Sequence, residues 1–216
     1  MSFDPITFIL SIVALLLSIA IHEFSHAIVA DNLGDPTPRS QGRVTLNPIA
    51  HLDPVGTMMI LFSSFAGFGI GWGRPVQVNP ANFRANPSAG MGIVAAAGPL
   101  SNILLALLGA ILFRVVPHEG MLYTFVLIWI IVNISLAFFN LLPIFPLDGF
   151  NILIAFLVGL NQDWSRRFAR FWRKQVQFGP LFLLLLVLVD SYLPSISPIQ
   201  WVFQGPAAWV MNVLLG

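Results

Sequence analysis

Two long stretches of this chain carry no charged side chain: Ala89–Phe113, and the 28 residues Gly120–Leu147. A bilayer's hydrocarbon core is about 30 Å thick and takes about 20 helical residues to cross, so each run predicts a membrane-spanning helix. A third begins near the amino end. Ile6–Ile21 is free of charge, Pro5 suits a first helical turn, and Asn32-Leu33-Gly34 suits a stop, so a helix is expected over Pro5–Asp31. The composition agrees. Only 9% of residues are charged and 57% are hydrophobic, with mean hydropathy +0.85, whereas soluble domains average about 25% charged. The expected fold class is an all-α polytopic membrane protein.

The rest of the chain reads as one membrane domain over residues 1–216, with a core near 5–155 and accessory helices near 156–216. Residues 32–54 are polar and rich in turn residues. Arg43-Val44-Thr45-Leu46 and Pro75-Val76-Gln77-Val78 alternate and each runs into Asn-Pro, which predicts a small membrane-associated β element between the first two core helices. An edge in that element could receive an extended peptide by strand addition. Residues 55–72 are apolar, but glycines at 56, 67, 69, 71 and 73 weaken a regular helix there. Gly149–Leu160 is too short to span and is expected at the interface. A helix is expected over Val176–Leu193, and Pro198–Leu215 is apolar but broken by Pro206. The amino end lacks the positive region of a cleavable signal peptide, so none is expected.

Five of the ten basic residues, Arg166, Arg167, Arg170, Arg173 and Lys174, fall within 163–174. The positive-inside rule places them in the cytoplasm, where they would anchor to anionic lipid. The chain has no cysteine, hence no disulfide, thiolate zinc finger or cysteine nucleophile. No basic patch interleaved with aromatics suggests nucleic acid. The expected location is the plasma membrane.

The chemistry-bearing feature is His22-Glu23-Phe24-Ser25-His26, at the inner end of the first apolar run. On a helix, positions i and i+4 share a face, so two imidazoles can hold one Zn²⁺ while the glutamate serves as base to a water. The chain holds four His and two Glu in 216 residues, so the pattern should arise by chance with probability of roughly 0.0007. Ionisable groups in a span are costly and by default functional. A catalytic zinc keeps three protein ligands, so one is missing. The candidates are His51, His118 and a few acids, among them Asp148, a lone carboxylate closing the 28-residue run after Pro143 and Pro146.

A His-Glu-x-x-His in one membrane helix, followed by Asn140-Leu141-Leu142-Pro143-Ile144-Phe145-Pro146-Leu147-Asp148-Gly149 in another, resembles the site-2 protease family of intramembrane zinc metalloproteases (M50-type). Ala97-Gly98-Pro99-Leu100-Ser101-Asn102 is similar to that family's central helix, and Leu46-Asn47-Pro48 through Gly56 to a segment of its compact branch. The resemblance covers residues 15–155 and leaves no room for a PDZ or CBS domain. It implies a three-helix core, one zinc per chain on His22, His26 and Asp148, and Glu23 as catalytic base. Asn140 would steady the reacting carbonyl, and Asn102 would contact substrate. It also implies cleavage of transmembrane proteins or peptides near the cytoplasmic side, as in regulated intramembrane proteolysis.

Blander readings stand beside these. His22, Glu23 and His26 could line a proton or metal path in a transporter, or hold zinc in an inactive scaffold. Asp148 could cap the helix that follows, since Asp favours N-cap positions. Asn140 and Asn102 could simply join helices. His51 and Asp53 read best as a loop held by side-chain hydrogen bonds.

Overall fold

The computed structural model describes residues 4–65, 73–84, 86–192, 205 and 207–215. In chain order its α-helices are α1 (Pro5–Asn32), α2 (Thr37–Ser40), α3 (Pro54–Phe65), α4 (Pro87–Phe113), α5 (Gly120–Asn140), α6 (Asp148–Gly159), α7 (Asp163–Lys174), α8 (Gly179–Tyr192) and α9 (Ala208–Leu215). Among the described residues, α1, α4 and α5 are long and apolar enough to cross a membrane. The chain is an all-α polytopic membrane protein.

The three long helices pack on one another, and α4 stands at the centre, touching α1, α5 and α6. Small residues permit this. Ala106 and Ala110 of α4 face Val126, Ile130 and Ile134 of α5, all buried, as close helix approach in lipid requires. Helix α1 starts where Asp4 accepts hydrogen bonds from the amides of Ile6 and Thr7, with Pro5 in the first turn, which satisfies two of the amides that every helix start leaves free.

The expected 28-residue helix over Gly120–Leu147 is shorter. It ends at Asn140, and residues 141–147 form turns before α6 begins at Asp148. Pro143 and Pro146 lack the amides that a continuing helix would need. The short helix expected over Gly149–Leu160 is α6, and one of its faces packs into the bundle. Phe150, Ile154 and Leu157 are buried, and the helix lies against α4. The helix expected over Val176–Leu193 begins with a 3₁₀ turn at Gln175–Phe178 and continues as α8. Of Pro198–Leu215, α9 is described; residues 198–204 and 206 lie outside the described residues.

The expected β element does not form. Among the described residues the only pairing between the two regions is an isolated antiparallel bridge, Leu52 with Gly73. The groups a ladder would need are engaged elsewhere. The buried Arg43 guanidinium donates to Ala50 O, and to Arg74 O and Pro75 O at 3.2 and 3.3 Å. Thr45 O accepts from His51 Nε2 at 2.8 Å, and Val76 N donates to the Glu23 carboxylate. Pro75 has no N–H to give. The segments at 43–46 and 74–78 are thus joined through side chains. The buried Asp35 clasps the same loops, accepting from Thr37 N, Thr37 Oγ1, Asn79 N and Asn82 Nδ2.

The Leu52–Gly73 bridge also bears on topology. Arg74 N donates to His51 O at 2.8 Å, so the chain that leaves at residue 52 is back beside it at 73. The two ends lie at one depth, which a single membrane crossing would forbid. The described part, α3, has 12 residues, about 18 Å of helix against a core of about 30 Å; residues 66–72 lie outside the described residues. Single cysteines at Ser40 and Ser88 should therefore label from the same side of sealed vesicles, and the native chain supplies no competing thiol. Labelling from opposite sides would overturn this topology.

Candidate metal centre

One turn of α1 puts His22 and His26 on the face turned toward α4, where both are buried. Their rings meet edge to face with centroids 4.6 Å apart. Asp148, the first residue of α6, meets them from a separate helix. Its Oδ2 lies 3.2 Å from His22 Nε2 and 3.3 Å from His26 Nε2, and the two Nε2 atoms are 3.0 Å apart. These three side chains form a group able to hold a metal ion. Asp148 does not cap its helix: Leu147 occupies the cap position, and no side-chain cap bond is made.

The outer hydrogen bonds fix which ring nitrogens carry protons. His26 Nδ1 lies 2.7 Å from Val94 O. A carbonyl only accepts, so Nδ1 bears a hydrogen, and in the neutral ring Nε2 keeps a lone pair. Val94 lies one turn before Pro99, which stays within α4 but lacks the amide due to Ala95 O. For His22 the logic runs through three more groups. Asn133 Nδ2 donates to Trp129 O at 2.9 Å, which leaves Asn133 Oδ1 to accept from Asn102 Nδ2 at 2.8 Å. Asn102 Oδ1 then faces His22 Nδ1 at 2.6 Å, and that nitrogen must donate. With both rings neutral, each Nε2 turns a lone pair toward Asp148 Oδ2, which is buried and makes no hydrogen bond.

Three lone pairs converging at 3.0–3.3 Å repel unless a metal ion or a shared proton lies among them, and the group's size fits the metal. A tetrahedral zinc with bonds of about 2.0–2.1 Å has ligand-to-ligand edges of about 3.3 Å, close to the triangle observed. The backbone leaves the space open. A β-carbon at Gly98 would fall 2.4 Å from His26 Nε2 and 2.6 Å from His22 Nε2, so any side chain there would enter the metal position. Gly149, next to Asp148, instead lets the turn after α5 pack closely, since a β-carbon there would meet Leu141 O at 2.1 Å.

Glu23 faces the same cavity, a space of about 450 Å³ that also holds His22, His26, Asp148 and Asn140. Its Oε2 accepts from Val76 N at 3.0 Å. The remaining wall is mostly apolar, including Ile19, Val78, Met91, Leu136, Phe139 and Phe145.

The sequence expectation for His22, Glu23, His26, Asp148 and Asn140 thus gathers five residues into one cavity. Asn140 is half-buried and gives one amide hydrogen to Leu136 O at 2.9 Å, which leaves its second N–H for another partner. Asn102 is fully buried outside that cavity's wall, with its oxygen on His22 and its nitrogen on Asn133. His51 holds its loop through Thr45 O, as the bland reading had it. Asn133 escaped the sequence reading, although a lone amide deep in an apolar run is a signal of a buried polar contact.

Asn102→Ala should weaken zinc binding by about 10–100-fold, the range typical for losing a group that orients a metal-binding histidine. Chelator competition on the purified protein measures this, and an unchanged affinity would dissociate the amide chain from the histidine.

A membrane bundle with two imidazoles, a carboxylate and a glutamate in one cavity defines a class of embedded metal-site proteins. The sequence comparisons narrow the class. A family model, Peptidase family M50, matches residues 115–186. YwhC of Bacillus subtilis strain 168, named as a candidate zinc metalloprotease, is 44% identical over 151 residues, which cover 66% of this chain and 66% of YwhC. Rip2 of Mycolicibacterium smegmatis, named in the same way, is 30% identical over 200 residues, covering 91% of this chain and 71% of Rip2. Rip2 of Mycobacterium tuberculosis H37Rv is 29% identical over 95% of this chain and 74% of that protein. No solved structure matches the chain. The chain belongs to peptidase family M50.

Proposed function

We propose that this chain is an intramembrane zinc metalloendopeptidase that hydrolyses peptide bonds in or near transmembrane segments of membrane proteins. The observation that carries the reading is the meeting of His22, His26 and Asp148 beside Glu23 in one cavity of a membrane bundle. His22, His26 and Asp148 would hold one zinc, and the amide chain through Asn102 and Asn133 keeps His22 in the tautomer that can bind it. When bound, zinc supplies Lewis acidity to the scissile carbonyl and lowers the pKa of water. Glu23 takes the proton of the attacking water and returns it to the leaving amine. Val76 N–H holds one carboxylate oxygen and so fixes the direction of the other. Asn140 has an N–H free for the carbonyl oxygen as negative charge develops there. The apolar wall suits the side chains of a membrane segment, which must unwind locally before its peptide bonds can be reached.

Water reaches the site from the cytoplasmic side in this reading, and the physiological setting is regulated intramembrane proteolysis. A transporter needs no glutamate held beside a two-plus-one ligand set, and an inactive scaffold needs no base. The test is cleavage of a model transmembrane substrate by the reconstituted protein. Chelation should abolish cleavage, and stoichiometric zinc should restore it. Cleavage that survives full zinc removal would sink the proposal.

A further inference from the structure

Helix α7 carries two unlike faces. Trp164, Phe168 and Phe171 are exposed on one, at 60%, 43% and 55%. Arg166, Arg170 and Arg173 lie on another, spaced four and three residues apart so that they share a stripe. These arginines line a cavity of about 340 Å³ together with Asn86, Val158, Asn161 and Ala169. Arg166 donates to Asn161 Oδ1, and Arg173 reaches Ser88 Oγ at 3.5 Å. No carboxylate among the described residues lies within ion-pair distance of any of the three. Among the described residues, the Arg170 side chain makes no hydrogen bond or ion pair.

Three guanidiniums around one cavity repel one another unless an anion joins them, and guanidinium matches the oxygens of a phosphate group in paired hydrogen bonds. The depth of the cavity says where that anion comes from. Asn86 and Ser88 stand at the first turn of the spanning helix α4, so the cavity lies at the membrane surface. The exposed aromatic face of α7 belongs in the same zone, at the boundary of headgroups and acyl chains. We infer that Arg166, Arg170 and Arg173, with Asn86 and Asn161, form a discrete binding site for the phosphodiester headgroup of an anionic phospholipid, joining α7 to the start of α4. The cavity's volume falls within the range of small-molecule sites, about 300–1,000 Å³, and is ample for a phosphodiester with its glycerol. The inference does not depend on the peptidase reading.

The test sets the cavity arginines against other cations of the same helix. The full chain is reconstituted in phosphatidylcholine vesicles containing phosphatidylglycerol, extracted mildly, and the retained lipid counted per chain. Wild type should retain phosphatidylglycerol at about tenfold enrichment over phosphatidylcholine. Arg170→Gln/Arg173→Gln should bring the ratio near parity. Arg167→Gln/Lys174→Gln removes equal charge outside the cavity and should keep most of the enrichment. Arg170→Gln alone, which breaks no hydrogen bond or ion pair among the described residues, should lower it several-fold and guards against misfolding of the double variant. Equal loss in both pairs would show diffuse attraction and overturn the site, and so would no loss in either. Release of the lipid by about 10 mM inorganic phosphate would overturn the assignment to a lipid.

Discussion

Glu23→Gln should lower cleavage of a transmembrane substrate by about 10²–10⁴-fold, the range typical of a general acid–base group, while leaving zinc bound. The amide has nearly the shape of the carboxylate but cannot take a proton from water. The structure explains why the fold should survive. Among the described residues, the one side-chain hydrogen bond of Glu23 is accepted from Val76 N, and a glutamine oxygen can accept it equally. The variant therefore separates chemistry from architecture. Metal analysis and single-turnover cleavage on the same preparation measure both. Turnover near wild type would remove Glu23 from the reaction, and loss of zinc alongside activity would recast it as a structural neighbour of the metal.

The long helices were legible because lipid permits few solutions: a run of 25 apolar residues has little to become but a span. The histidine pair was legible because its spacing is local and set by helical pitch. Asp148 needed more, since nothing local joins residue 148 to residue 22; a missing ligand and a resemblance had to bridge the distance. What failed has a common cause. Alternation in Arg43–Leu46 and Pro75–Val78 is a property of side chains, whereas a sheet depends on where main-chain groups find partners. Here Arg43, His51 and Glu23 claim several of those groups from afar. The bonds of Asn102 were hidden for a similar reason. A buried amide and a substrate-facing amide look alike in sequence, and only the chain Trp129–Asn133–Asn102–His22 tells them apart.

Gly98→Ala should abolish stoichiometric zinc without altering any ligand. The added methyl would lie 2.4 Å from His26 Nε2 and 2.6 Å from His22 Nε2, well inside contact distance, in the space where the metal belongs. Relief requires rotating both rings or parting α1 from α4. Ring rotation breaks the bonds to Val94 O and Asn102 Oδ1 that fix the tautomers. Parting the helices carries the histidines away from Asp148, whose oxygen now lies 3.2 and 3.3 Å from them. Either way the triangle no longer matches a tetrahedral edge, and affinity should fall by at least about 100-fold, as for loss of an orienting contact or worse. Alanine favours helix more than glycine does, so helical content should hold, and circular dichroism can check it. Asp148→Ala is the companion measurement, since it removes a ligand and leaves the cradle empty. Zinc retained at one per chain in Gly98→Ala would place the metal elsewhere, and zinc retained in Asp148→Ala alone would strike only that carboxylate from the ligand set.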